Sequence, residues 1–178
     1  MRRVIIGKSK GTPVTETPIY IARTSAPGFH IVEKASKTIY PTISSTVYAI
    51  AEDSDYLYLG GGFTGRFKVI NKATKAEVTG YPTIDNAVYA IAEDSNYIYL
   101  GGFFTGRFKV INKATKAEVT GYPTISSTVY AIAEDSDYIY VGGDFTNRFM
   151  VIDKATKAEV TGYPTISGQV NGLSVKRL

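Results

Sequence analysis

The chain has 178 residues, with 20 Lys and Arg against 16 Asp and Glu, one histidine and no cysteine. The length suits a single domain with a substantial core, and the lack of cysteine excludes disulfides, thiolate zinc sites and cysteine nucleophiles. No run of 18 apolar residues occurs, so we expect no membrane span.

Residues 1–17 form a basic N-terminal arm that the rest of the chain does not repeat. Residues 1–39 carry seven Lys and Arg but only two Asp and Glu, so the net charge of +4 belongs mainly to this end. A nucleic-acid-binding domain would spread its positive charge over one face, and we therefore expect no nucleic-acid partner. The arm contains a candidate strand at residues 3–6. It has too few apolar residues before Gly7 for a signal-peptide core, and virion-associated and cytoplasmic locations both remain open.

A 41-residue repeat dominates the chain, and each copy begins with Tyr-Pro-Thr-Ile. Three complete copies occupy residues 40–80, 81–121 and 122–162, and the second and third each differ from the first at six of 41 positions. A period of about 40 residues is typical of four-stranded propeller blades and of helical HEAT or armadillo units.

Each copy contains four short runs rich in β-branched and aromatic residues. In the third copy these runs are 129–134, 138–141, 148–152 and 158–161. Turn-forming residues bound every run, and no segment is long enough for an unbroken amphipathic helix. The pattern therefore excludes a helical repeat and predicts that each copy is one four-stranded blade of an all-β propeller.

The two ends of the chain together predict one further blade. Residues 18–37 align without a gap with residues 138–157, so 18–39 would supply the second, third and fourth strands of a partial blade. Residues 163–178 restart the repeat and would supply the first strand, at 170–175. We thus predict a propeller over residues 18–178 with four blades, one of them closed by both chain ends. Four is the lower limit of the usual blade number, so an eight-bladed ring of two copies stays open.

The element Gly-Gly-x-Phe-Thr stands at residues 60–64, 101–105 and 142–146, shortly after a Val-Tyr-Ala-Ile-Ala run. This combination resembles the β-propeller repeats of bacterial surface and phage tail proteins. The resemblance covers 40–162 in full, whereas residues 22–27 replace the element in the partial blade. It implies a binding or structural role and names no catalytic residue. The near-identity of the copies also resembles that of a symmetrised designed propeller, and this origin stays open.

In a propeller, the turns after the first and third strands of a blade share one face. The first turn is acidic, at 52–55, 93–96 and 134–137, and the second is basic, at 71–75, 112–116 and 153–157. Such turns predict weak, mutually screened ion pairs. Calcium is the alternative, but the acidic turn lacks the spacing of a ligand loop and has lysines nearby. We expect no metal and no cofactor.

The copies differ in chemistry mainly on the opposite face, in the loop after the second strand and in the connection between blades. The differing residues are Asp85, Asn86, Phe103, Asp144 and Asn147. Loops on a rigid scaffold commonly hold binding specificity. We predict that these residues contribute to a contact surface, with neutral variation of tolerant loops as the alternative.

The repeated aromatic and arginine side chains have structural and functional interpretations. Tyrosines such as Tyr56 and Tyr58 alternate with aliphatic residues, so we expect them to fill the space between blades with their hydroxyls at the rim. A stacking platform for sugars or bases is the alternative. We expect Arg66, Arg107 and Arg148 to donate hydrogen bonds between blades rather than to bind anions.

Catalysis needs a nucleophile with a base, a metal, or two carboxylates in different environments. The one histidine, His30, has no partner implied by spacing, and we interpret it as an ordinary strand residue. The carboxylates recur in every copy, which gives a ring of equivalent groups rather than one asymmetric site. The sequence therefore predicts that the protein is not an enzyme.

Three functions remain open. The leading hypothesis is a non-catalytic binding or assembly module with a protein or glycan ligand. The second is a self-assembling structural protein, a homo-oligomer in which residues 1–17 donate a strand to a neighbouring copy. The third is a carbohydrate-binding lectin with one site per blade, which repetition would strengthen through avidity.

Overall fold

The computed structural model describes residues 19–22, 29–32, 39–43 and 45–175. The described residues are all-β, with twelve strands and no helix: β1 Ile19–Ala22, β2 Phe29–Val32, β3 Ile39–Ile43, β4 Val47–Glu52, β5 Tyr56–Gly61, β6 Phe67–Asn71, β7 Val88–Glu93, β8 Tyr97–Gly102, β9 Phe108–Asn112, β10 Val129–Glu134, β11 Tyr138–Gly143 and β12 Phe149–Asp153. They pair into four antiparallel three-stranded sheets, which we number 1 (β1–β3), 2 (β4–β6), 3 (β7–β9) and 4 (β10–β12). The basic arm and its candidate strand lie outside the described residues.

The first three strands of each complete copy follow the sequence prediction, with three changes of boundary. The second strand continues through the glycine pair, because Gly142 pairs in register with Ala131 and Phe149. The third strand lies one residue later than predicted at both ends, from Phe149 to Asp153. It cannot begin at Arg148, because that residue has a φ of 62° and lies in the left-handed region. A residue in that region breaks the extended conformation of a strand.

The fourth run of each copy does not form the full strand that the sequence predicts. In the third copy it makes a single bridge between Glu159 and Ile152. Two backbone hydrogen bonds flank the bridge, from Asp153 N to Ala158 O at 2.9 Å and from Val160 N to Val151 O at 2.8 Å. Ala158 and Glu159 are both exposed, so the run buries too little apolar surface to extend the ladder.

The C-terminal segment also departs from the prediction, because residues 163–175 contain no strand. The segment still follows the path of its counterparts: Ile166 N donates to Asn147 O at 3.1 Å, as Ile125 N donates to Gly106 O at 3.2 Å. Among the described residues, no second strand lies beside 170–175 as β5 lies beside β4. Without such a partner the segment has no ladder to join.

Sheet 1 is formed by the three runs at the start of the repeat region. β1 pairs with β2 from Ile19 opposite Val32, and β2 pairs with β3. Its sheet order is β1-β2-β3. The third strand, Ile39–Ile43, crosses the predicted boundary between the partial blade (18–39) and the first complete copy (40–80).

The core lies between successive sheets. Tyr58 and Phe67 of sheet 2 pack against Ile98 and Leu100 of sheet 3, and the same cluster repeats between sheets 3 and 4. The close approach requires glycine on the facing strand, since a Cβ at Gly60 would lie 2.6 Å from the Val88 side chain. The repeat in the sequence is therefore also a repeat of one sheet-to-sheet interface.

Candidate binding surface and its supporting contacts

The acidic and basic turns do meet on one face, but their lysines also join neighbouring sheets. Lys113 follows β9, and its Nζ lies 2.6 Å from Glu93 of its own sheet and 2.8 Å from Asp53 of sheet 2. The Lys113 ammonium also sits 5.2 Å from the centre of the Tyr58 ring. The Lys113 side chain is only 14% exposed. Its ion pairs are therefore less screened by solvent than the surface pairs that the sequence predicts.

The same arrangement occurs one repeat later. Lys154 Nζ lies 2.7 Å from Glu134 and 2.9 Å from Asp94, and 5.3 Å from the Tyr99 ring. The sequence pattern predicts these turns on one face, but it does not predict that each lysine forms ion pairs with carboxylates of two copies. The signal was present as the constant 60-residue separation between Asp53 and Lys113 and between Asp94 and Lys154.

The tyrosines of the second strand fill the space between sheets. Tyr58 and Tyr99 are fully buried, and their hydroxyls donate to Asp53 Oδ2 and Asp94 Oδ2, each at 2.5 Å. Burial raises the pKa of both phenols, and the adjacent carboxylate raises it further. This agrees with the expectation of packing between blades and leaves these two rings unable to serve as a stacking platform.

The pKa values of Asp53 and Asp94 are both lowered, although the two carboxylates are partly buried. Burial by itself would raise the pKa of Asp53, but the hydrogen bonds from Lys113, Tyr58 and the backbone outweigh it and lower the pKa to about 2. The pKa of Asp94 is lowered for the same reasons, with Tyr99 and Lys154 as the donors. Within the described residues, no three acidic or histidine side chains are arranged to hold a metal ion.

On the opposite face, three of the five predicted contact residues line one cavity. Asp85, Asn86 and Phe103 surround a shallow cavity of about 430 Å³, together with Thr105, Gly106 and Arg107. Asp85 and Asn86 belong to the connection that precedes β7, and the other four belong to the loop after β8. The structure thus brings together residues that are 18 positions apart in the sequence.

Phe103 is the aromatic side of this cavity and is 46% exposed. The Arg107 guanidinium lies 4.2 Å from the centre of its ring and donates a hydrogen bond to the Phe103 carbonyl. Arg107 has a φ of 60°, and this left-handed backbone turns its side chain back over the loop. The prediction that these arginines join blades is wrong, because Arg66 and Arg107 bond within their own loops.

Asp85 forms the acidic side and is fixed by Thr105. The Thr105 hydroxyl donates to Asp85 Oδ2 at 2.5 Å and its amide to Oδ1 at 3.1 Å. These bonds lower the pKa of the Asp85 carboxyl. Sequence reasoning missed Thr105 because every complete copy has threonine at that position, so comparison of the copies gave no signal.

The other two predicted residues lie in the corresponding loop of the third copy. Asp144 forms an ion pair with Arg148, and Asn147 accepts a hydrogen bond from the Thr165 hydroxyl at 3.3 Å. Asp144 stands where the second copy has Phe103, so its carboxylate takes the guanidinium that stacks on the ring there. The five residues therefore form two separate loop sites on one face rather than one continuous surface.

No protein-family model matches the chain, and no curated protein matches it. Among solved structures, the computationally designed Ika8 protein is similar over 89% of this chain and 50% of its own, with 18% identity and a TM-score of 0.74. The computationally designed Ika4 protein is similar over 74% of this chain and 81% of its own, with 20% identity and a TM-score of 0.64. U3-55K is similar over 80% of this chain and 47% of its own, with 16% identity and a TM-score of 0.62.

At these identities the similarity concerns the fold alone. The chain spans about half the length of Ika8 and of U3-55K. In the part of the chain that the structure describes, there is no helix of the length and apolarity that crossing a membrane would require. The Gly-Gly-x-Phe-Thr family resemblance and the phage-like role stay predictions.

Proposed function

We propose that the chain is a non-catalytic β-propeller scaffold that binds a glycan through the loop face of its second copy. The propeller part of the proposal is supported by the arrangement of the first strands of the three complete copies, β4, β7 and β10, which lie side by side. Tyr48, Tyr89 and Tyr130 of these strands form a row with ring centres 5.1 Å and 5.5 Å apart. Ala51, at the same repeat position as Ser174, shares a cavity of about 270 Å³ with it, as expected of inner strands around one axis.

The observation that carries the binding proposal is the exposed Phe103 beside the Asp85 carboxylate. The other copies have Gly62 and Asp144 at this position, so only the second copy has an aromatic ring there. An exposed aromatic ring in a cavity with a few fixed polar groups is the usual composition of a ligand site. The ring offers a stacking surface, while the Asp85 carboxylate and the Asn86 amide can bond to hydroxyl groups.

The difference between copies argues for one such site rather than one site per blade. Gly62 leaves its loop without a ring, and Asp144 neutralises its own arginine. A role without catalysis is supported by composition and by the carboxylates of the turns, which are held by lysine and tyrosine partners. Strand donation by residues 1–17 concerns a segment outside the described residues and stays an alternative prediction.

The test uses a glycan array probed with the labelled protein and with Phe103→Gly, which gives the second copy the residue of the first. We expect the wild-type protein to bind a small set of glycans and Phe103→Gly to lose at least about tenfold in affinity, equivalent to ~1.4 kcal/mol. Asp144→Gly makes the same kind of change in the third copy and should bind like the wild type. An array without signal, or equal binding by Phe103→Gly, would contradict the proposal.

A further inference from the structure

Sheet 4 has an apolar surface that its counterparts bury. We call this the end face; it comprises Tyr140, Phe149, Tyr163 and Ile166. Ile166 is 38% exposed and Tyr163 is 48% exposed, whereas Ile125, the counterpart of Ile166 one repeat earlier, is 2% exposed. Tyr140 and Phe149 are half-buried. Large exposed apolar patches mark interaction sites in soluble proteins.

The internal interfaces show which element covers such a face. Between sheets 2 and 3, the face is covered by the second strand of the next sheet, through Ile98 and Leu100 of β8. Between sheets 3 and 4, Ile139 and Val141 of β11 do the same. The end face therefore has the shape of a surface that receives the second strand of a following sheet.

The polar contacts of the end face are incomplete in the same way. Asp135 accepts a hydrogen bond from the Tyr140 hydroxyl at 2.7 Å, as Asp94 does from Tyr99. Asp94 is also bound by a lysine of the following sheet, whereas no lysine among the described residues bonds to Asp135. Asp53 and Asp94 each bind a lysine of the following sheet, whereas Asp135, their counterpart at the end of sheet 4, has no such partner among the described residues.

Sheet 1 contains the sequence counterpart of the strand that covers such a face. β1 is the sequence counterpart of β8 and β11, and its Ile19 and Ile21 align with Ile98 and Leu100. In sheets 3 and 4 that strand is central, with a first strand on its other side, but β1 is an edge strand of sheet 1. The segment that repeats the first strand is 170–175, which within the described residues pairs with no strand.

We propose that a second copy of this chain covers the end face with its sheet 1, and that residues 170–175 of the first copy pair with β1 of the second. The interface between sheets 2 and 3 and the interface between sheets 3 and 4 repeat the same contacts, so each adds the same rotation between neighbouring sheets. Four sheets of one chain leave the end face open, which means that their rotation has not closed the ring. Head-to-tail interfaces give a closed ring when the rotation completes a turn, and two copies supply eight blades.

The match to Ika8 is consistent with this geometry, because 89% of this chain follows half of that longer chain. The inference rests on the propeller scaffold of the proposed function and names its partner, a second copy. It does not depend on the Phe103 cavity, which lies on the loop face. Glycan binding and ring assembly can therefore fail independently.

The first measurement is the native mass of the 178-residue protein. We expect a species of twice 19.3 kDa. A monomer would overturn the proposal, whether it is a closed four-bladed ring or an open array, and so would a polymer of undefined length. Glycan binding by that monomer would still support the proposed function.

A crosslink distinguishes pairing between copies from pairing within one. The register of β10 with β11 places Ala133 opposite Tyr140. Ser174 is the sequence counterpart of Ala133, and Tyr20 is the counterpart of Tyr140, so the proposed pairing places Ser174 opposite Tyr20. The wild type has no cysteine, so Tyr20→Cys with Ser174→Cys introduces the two thiols, and directly opposite strand residues are close enough for a disulfide. We expect covalent dimers under oxidation and none with either single variant. A crosslinked monomer, or no crosslink, would overturn the proposal.

A pair of aspartate substitutions, one on the end face and one on the loop face, gives a matched comparison. Ile166→Asp should weaken the dimer at least about 100-fold, because each of the two interfaces would bury an unpaired carboxylate. Phe103→Asp places the same group on a comparably exposed residue of the loop face and should leave the dimer intact. The third copy carries Asp144 at that position, so the loop accepts the change. An Ile166→Asp dimer as stable as the wild type would overturn the proposal.

Discussion

Replacing Lys113 with methionine tests whether the lysine contacts between sheets stabilise the fold. Lys113 Nζ is bonded to Asp53 and Glu93, and the three side chains are 14%, 22% and 18% exposed. Removing one partner of a fully buried ion pair costs ~3–5 kcal/mol, and an exposed pair contributes ~0–1 kcal/mol. These side chains lie between the two limits, so we expect Lys113→Met to lower the free energy of unfolding by about 2–3 kcal/mol.

Lys109→Met is the matched control. Lys109 also forms an ion pair, with Glu118 at 2.7 Å, but that partner is 42% exposed. The third copy has Met150 in the place of Lys109, so the backbone and its neighbours accept the residue. We expect the control to change the free energy of unfolding by no more than about 1 kcal/mol.

The assay is urea unfolding of both variants and the wild type between pH 7 and pH 2, with the slopes compared as well as the midpoints. The loss in Lys113→Met should shrink as the pH falls from about 4 towards 2, because the Asp53 carboxylate, whose pKa the lysine helps to lower to about 2, becomes protonated in that range. An equal loss in both variants, or a difference that does not change with pH, would refute the reasoning.

Three further predictions follow from the same interfaces. Tyr99→Phe removes the hydroxyl that donates to Asp94; urea unfolding should show a loss of about 1–2 kcal/mol, and NMR titration should show a higher Asp94 pKa. Gly101→Ala brings a methyl group into the Val129 side chain and should cost about 1–3 kcal/mol, whereas Gly62→Ala, with its nearest contact at 3.7 Å, should be near neutral. The pKa of Asp53 is lowered from 3.8 to about 2, so the contribution of its carboxylate to the free energy of unfolding is complete above pH 4 and is lost as the pH falls towards 2. A free energy of unfolding that does not change in that range would contradict this prediction.

The sequence predicts the repeating β structure well because the signals for it are local. The first strand of each copy is found with its correct boundaries, since Val129–Glu134 is a run rich in β-forming residues that ends at a turn. The fourth run is overpredicted, because its composition favours a strand while burial decides whether one forms. Ala158 and Glu159 meet no covering surface, and a single sequence carries no information about that.

The candidate site is predicted in part for a similar reason. Comparison of the copies identifies Phe103, Asp85 and Asn86, which differ, and the fold brings them into one cavity. The same comparison cannot find Thr105 or Arg107, because each complete copy has these residue types at the same positions. Their roles depend on the backbone of the loop, in particular on the left-handed conformation of Arg107.

The distribution of differences among the copies follows from the interfaces themselves. Asp53, Tyr58 and Gly60 each contact the copy that follows, so a change at any of them alters a contact with a residue elsewhere in the chain. The differences seen within the second strand, Leu57 against Ile98 and Leu100 against Val141, keep the side chain aliphatic. The loop residues bond within their own loop or to the adjacent connection, so one copy can acquire an aromatic ring without disturbing the others. A chain of nearly identical sheets can therefore carry a single distinct binding site, and the loop face is where such a site costs the fold least.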